Sequence, residues 1–140
     1  MTAEPLLDGG CLCGAVRYRC DAPARPATVC HCTSCRRAAG AHAVAWFTVP
    51  ASSLVFTQGR AAMYRSSAPV QRGFCAHCGT QLTYRNDQWP DEVDVTIGSL
   101  DEPGRVAPAA HIWMEDAPPW DRPGDGLPCH PRSRPDGGAA

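Results

Sequence analysis

Nine cysteines in 140 residues, seven of them in three tight groups, constrain this chain more than any other feature. The groups are Cys11-x-Cys13 in GGCLCG, Cys30-x-Cys32-x-x-Cys35 in CHCTSCRRAAG, and Cys75-x-x-Cys78 in FCAHCGT. Cysteines one residue apart would close a very small, strained disulfide ring. The count is odd, and the opening MTAEPLLDGG has neither the basic nor the apolar region of a secretory signal. The spacing therefore predicts metal ligation in a reducing cytoplasm rather than a disulfide framework.

Cys11 and Cys13, at i and i+2, share a face if the chain there is extended. Cys75 and Cys78, with Gly79 behind them, read as a knuckle in which a tight turn presents two sulfurs. Together the two pairs make a four-cysteine set joining segments about sixty residues apart. That leaves CHCTSC for a second metal. There Cys30 and Cys32 are expected on one strand face, with Cys35 reaching back from the following turn. Three protein ligands and an open fourth position is how catalytic zinc sites are usually built. A fourth protein ligand would instead make the site structural, and Cys20, Cys129, His42 and His111 are the candidates. His31, between two ligands, is expected on the opposite face, and His77 is expected to be exposed. A redox role for Cys32-x-x-Cys35 lacks the βαβ context such motifs occupy.

The rest of the chain reads as one mainly β domain. Strands are expected around Val16–Tyr18, within Ala41–Pro50, at Ser53–Phe56 and Ala61–Tyr64, in QLTYR and at Val93–Gly98. In the last of these, Val93, Val95 and Ile97 fall on one face and Asp94 and Thr96 on the other. One helical turn is expected at Ser34–Ala39, stopped by Gly40. Residues 1–127 form the domain, and 128–140 a Pro/Gly-rich tail with disorder expected beyond about Pro131. The net charge is -1, the pI is about 6.5, and all 13 basic residues are arginine. Nucleic-acid binding is therefore not expected. Lysine Schiff-base chemistry is excluded. No apolar run is long enough for a membrane helix.

The blocks GGCLCGAVRY, CHCTSCRRAAG, RGFCAHCGTQL, IGSLDEP and AHIW…PPWD, in that order from Leu6 to Leu127, resemble the glutathione-dependent formaldehyde-activating (GFA) family, a domain shared by centromere protein V. The resemblance implies a single small zinc-bound β-tent domain of coiled antiparallel sheets. It implies a closed zinc site at Cys11, Cys13, Cys75 and Cys78, and an open one at Cys30, Cys32 and Cys35. It further implies a carbon–sulfur lyase that joins glutathione to formaldehyde, giving S-(hydroxymethyl)glutathione.

The expected partners are a small thiol and a small aldehyde. Cys30, Cys32 and Cys35 are the expected catalytic residues. Arg36, Arg37 and Arg72 are candidates to pair with glutathione carboxylates, against the simpler reading of solvated surface arginines. Trp46, Trp113 and Trp120 are candidates to wall the pocket or to pack the core. The alternative from another class is a zinc-binding module without catalysis, holding a protein or other ligand.

Overall fold

The computed structural model describes residues 6–135. The strands are β1 (Leu7–Gly10), β2 (Arg17–Cys20), β3 (Ala27–Cys30), β4 (Val44–Pro50), β5 (Leu54–Gln58), β6 (Ala62–Ser67), β7 (Val70–Phe74), β8 (Gln81–Asn86), β9 (Glu92–Thr96) and β10 (Pro108–Ile112). One α-helix, α1, spans Thr33–Ala39. The strands form a three-stranded sheet, β1-β2-β5, and a seven-stranded sheet, β10-β3-β4-β9-β8-β7-β6. Among these strands every pairing is antiparallel except β10 with β3, which is parallel.

The single helix lies where the sequence predicts it. Cys32 caps its start, its sulfur accepting from the Cys35 amide, and Gly40 ends it at φ 62°. Only glycine adopts that left-handed conformation without steric cost.

The main core lies between the sheets. Phe47, Val49, Leu82, Val93 and Val95 of the large sheet meet Leu7 and Tyr18 of the small one and Val16 just before β2. Tyr18 brings a polar group into this core and satisfies it in a 2.7 Å hydrogen bond with Ser99 Oγ. The expected alternation of β9 is only half realised. Val93 and Val95 are in the core, yet Asp94 and Thr96 are buried too. Their face of the sheet is covered rather than open to solvent, so each takes a hydrogen bond there. Thr48 Oγ1 donates to Asp94 at 2.6 Å, and Thr96 Oγ1 donates to the Gln81 carbonyl at 2.8 Å.

Residues 128–132, read from composition as the start of a tail, run hydrogen-bonded beside β10. The amides of His111, Trp113, Met114 and Glu115 donate to the carbonyls of Pro128, Arg132, His130 and Pro131, and His130 N donates back to His111 O. The prolines do not prevent this, because they serve as acceptors and proline lacks only the donor. The disorder expected beyond Pro131 falls in part on residues 136–140, outside the described residues.

Gly9 sits where β1 crosses Tyr18 and Ser99. A Cβ there would collide with the Tyr18 hydroxyl and lie 2.5 Å from the Ser99 carbonyl oxygen. Gly9→Ala should therefore cost about 1–3 kcal/mol by overpacking. Urea unfolding monitored by tryptophan fluorescence checks this, and an unchanged midpoint would refute it.

Candidate metal centres and the adjoining cavity

The seven clustered cysteines separate into two sets whose sulfurs converge within 4.8 Å, one of four and one of three. In the first, Cys11 and Cys13 follow β1, and Cys75 and Cys78 follow β7. The C-x-C pair is not in a strand as expected. β1 ends at Gly10, and Cys11–Gly14 form a turn closed by Gly14 N donating to Cys11 O. The turn still delivers both sulfurs to one point, with Cys11 and Cys13 3.6 Å apart and Cys13 3.8 Å from Cys75. Amides donate to these sulfurs, Val16 N to Cys11 at 3.2 Å and the amides of His77 and Cys78 to Cys75 at 3.4 Å each. Hydrogen bonds from the Thr80 side chain and backbone lower the Cys78 thiol to about 5. Thr80 Oγ1 also accepts from Leu12 N, so one hydroxyl braces both halves of the set.

The second set joins two kinds of structure. Cys30 ends β3, Cys32 caps α1, and Cys35 lies in its first turn. Cys30 and Cys32 thus do not share a strand face. The strand stops between them, and helix geometry turns Cys32 and Cys35 toward Cys30. Mutual hydrogen bonds lower Cys32 to about 2 and push Cys30 far above the ordinary thiol range. Three buried or half-buried thiols so arranged hold one negative charge easily and three only beside a cation. Arg72 supplies one positive neighbour. It is buried, donates from Nη1 toward Cys35 Sγ at 3.7 Å and from Nε to Ser66 Oγ at 3.2 Å, and lies over the Tyr84 ring.

None of the four candidate fourth ligands belongs to this set. Cys20 is buried in the main core, where desolvation pushes its thiol to about 12. Cys129 is exposed, its sulfur 3.6 Å from the Leu127 carbonyl. His42 and His111 are committed elsewhere. His31, expected to face away, is almost fully buried. It anchors a chain absent from the sequence reading. Asp121 Oδ2 is 2.6 Å from His31 Nδ1, His31 Nε2 is 2.9 Å from His111 Nδ1, and His111 Nε2 is 2.7 Å from Asp125 Oδ2. His42 approaches Asp121 at 3.9 Å. The reason is local: β3 ends at Cys30, so strand alternation no longer governs residue 31, and His31 N pairs with Ile112 O. The chain pins the segment after Trp120 to β10 and to the end of β3, which carries Cys30. The Asp-containing PPWD and RPGDG stretches and the AHIW block were its only sequence signal.

A cavity of about 300 Å³ opens over the three cysteines. Trp46, Trp113, Tyr84, Arg72, Asp94 and Asp116 line it with the β6–β7 hairpin residues Ser66, Ser67 and Val70. Trp113 holds a left-handed backbone (φ 58°), rare for a bulky residue. Arg36, half-buried with Nε unpartnered, and exposed Arg37 do not line it. Trp120 is 72% exposed, against His42, and does not line it either.

Burial raises Asp94 to about 7, against a small lowering by the Thr48 hydrogen bond. Tyr84 from β8, Thr48 from β4, Glu92 from its own strand and the cations Arg25 and Arg134 surround it. Its folded value lies above its unfolded 3.8, so the folded state holds more protons between about pH 4 and 7. Stability from this group is full below that window and is lost as pH rises through it. Asp94→Asn removes the loss, so the variant should gain stability relative to the parent as pH rises from 5 to 8. Melting curves that stay parallel across that range would refute the burial of a carboxyl here.

The profile of the family described as "Glutathione-dependent formaldehyde-activating enzyme" matches residues 6–116. A Halomonas elongata protein named "Putative glutathione-dependent formaldehyde-activating enzyme" is 29% identical over 124 residues, covering 82% of this chain and 79% of that protein. The crystal structure of a Rhodobacter sphaeroides protein is similar with a TM-score of 0.54 at 27% identity, over 67% of this chain and 87% of that one.

Proposed function

The chain belongs to the glutathione-dependent formaldehyde-activating enzyme family, and on that premise we propose that it is a zinc-dependent, carbon–sulfur lyase-like enzyme joining a small thiol to a small aldehyde. The observation that carries this reading is the cavity over Cys30, Cys32 and Cys35. The four-cysteine set contributes no residue to that cavity, as suits a structural role.

The donor sets fit zinc. Thiolates at about 2.3 Å from a tetrahedral ion lie about 3.8 Å from one another. The 3.6 and 3.8 Å sulfur separations in the four-cysteine set agree. Soft, all-sulfur donors favour zinc over hard divalent cations. Cys11, Cys13, Cys75 and Cys78 would hold the structural ion, and Cys30, Cys32 and Cys35 the second. Zinc there would supply Lewis acidity that keeps an incoming thiol deprotonated near neutral pH.

The chain's own groups do the rest. Arg72 offsets the negative charge of the thiolates through Cys35. Trp46, Trp113 and Tyr84 exclude water from one side of the reacting groups. In the reaction the thiolate sulfur bonds to the aldehyde carbon and the carbonyl π pair moves to oxygen. The oxygen then takes up the proton released by the thiol, and the reverse sequence is lysis of the carbon–sulfur bond. Positioning of the two reactants is the main catalytic gain. Free thiolate sets of this kind suit a reducing cytoplasm.

Two variants test the reading together. Cys78→Ser should lower stability by several kcal/mol or prevent folding, because its site ties distant segments. Cys35→Ser should fold, retain one zinc per chain instead of two, and lose acceleration of thiol–formaldehyde adduct exchange, followed by NMR. Mild chelation should strip the three-cysteine site first. A Cys35→Ser protein that accelerates exchange as the parent does would sink the proposal.

A further inference from the structure

The charges lining the cavity bear on which thiol it takes. Arg72 is the only cation among its lining residues. Its Nε and Nη1 are engaged by Ser66 and Cys35, and its face covers Tyr84. A divalent ion with three thiolates carries a formal charge of -1, which Arg72 cancels. Two carboxylates, Asp94 and Asp116, also line the cavity. Even with Asp94 neutral, Asp116 leaves the space negative. An incoming thiolate adds one more negative charge. Arg36 and Arg37, the other candidate anchors for a carboxylate, do not line this cavity.

The sheet places the carboxyl of Asp94 in a defined row, as the last member of that row to line the cavity. Arg72 pairs with Tyr84, Tyr84 with Asp94, and Asp94 with Thr48, so these side chains cross one face of four adjacent strands. Two strand spacings separate the backbones of Asp94 and Arg72, about 10 Å, and the Arg72 side chain extends from its strand to Cys35. Arg72 marks the cysteine end, through Cys35. A thiol held at the cysteines by its sulfur therefore points its tail along an aromatic floor toward a carboxyl.

We propose that this cavity selects short thiols with an amine or uncharged tail and disfavours carboxylate-bearing thiols, glutathione included, with Asp94 as the specificity-determining residue. Three features support it: one committed cation, two acidic residues, and a row whose last cavity-lining member is the Asp94 carboxyl. Thr48 Oγ1 donates to Oδ1 of Asp94, and an ammonium group entering the cavity would add a charge-assisted partner to the same buried carboxyl. The inference rests on the thiol-binding reading above.

The test titrates the zinc-loaded full chain with 2-aminoethanethiol, 2-mercaptoethanol, 3-mercaptopropionate and glutathione. Trp46 and Trp113 fluorescence is the readout. Binding of 2-aminoethanethiol should be about tenfold tighter than that of either carboxylate thiol, the size of one favourable charge contact. Added salt should narrow that gap. Asp94→Asn should reduce the preference for 2-aminoethanethiol over 2-mercaptoethanol severalfold, and Asp116→Asn should bring glutathione closer to the others. Glutathione binding as tightly as 2-aminoethanethiol overturns the charge selection and leaves the thiol-binding reading standing. Equal preference in Asp94→Asn and the parent overturns the role of Asp94. If no thiol binds, or binding persists in Cys35→Ser, the thiol-binding reading itself fails and this inference with it.

Discussion

Four sulfur atoms drawn to one point join the end of β1 to the end of β7, and so the small sheet to the large one. Nothing else in the described residues concentrates so much like-charged chemistry on a single contact. Four thiols this close cannot all ionise without a cation between them, so an ion held there would be linked to the fold. The surrounding backbone is arranged for thiolate rather than thiol. Amides of Val16, His77 and Cys78 aim at sulfur, and the Thr80 hydroxyl serves Cys78 while accepting from Leu12. Tyr18 and Ser99 repeat the same sheet-to-sheet connection inside the core, with a neutral pair.

The second set depends on that connection. Cys30 is reached through β3, at the centre of β10-β3-β4, while Arg72 arrives from β7, four strands farther across the same sheet. The sheet must therefore curve for Arg72 to meet Cys35. The two ends of the site are braced differently. On one side Arg72 is held by Ser66 and Tyr84. On the other, the Asp121–His31–His111–Asp125 chain fixes the residue between Cys30 and Cys32.

How much of this was legible in the sequence depends on the range of the interaction. Cysteine spacing is local and specific, and the two sulfur sets form as their spacing predicts. The helix from Ser34 to Ala39 differs from the observed α1 by one residue, because Cys32 and Gly40 are local stop signals. The β-rich class followed from alternation. What failed was alternation carried past a strand's end. Cys11–Cys13 and Cys30–Cys32 were read as same-face strand pairs, and both lie where the strand has stopped. The same error sent His31 outward. The carboxyls of Asp121 and Asp125, about ninety residues along the chain from His31, carry no local signal that they would meet it. Composition carries no strand signal for residues 128–132, yet proline's remaining carbonyl still pairs with a neighbouring strand.

The two faces of the large sheet explain why one small domain can hold both a core and a site. Phe47, Thr83 and Val95 lie side by side on one face, and Thr48, Tyr84 and Asp94 lie side by side on the other, one residue along each strand. A one-residue step in register would exchange the two sets and place Asp94 in the apolar core. The valines and Phe47 secure the register by burial, which is stronger than any hydrogen bond Asp94 makes. The polar row is thus positioned by residues that never touch it. The ordering of Arg72, Tyr84 and Asp94 across the cavity floor, with Thr48 beside Asp94, follows from packing on the reverse side. Substitutions in Val93 or Val95 that loosen that packing would act on ligand selection through the sheet, without changing a single group that lines the cavity.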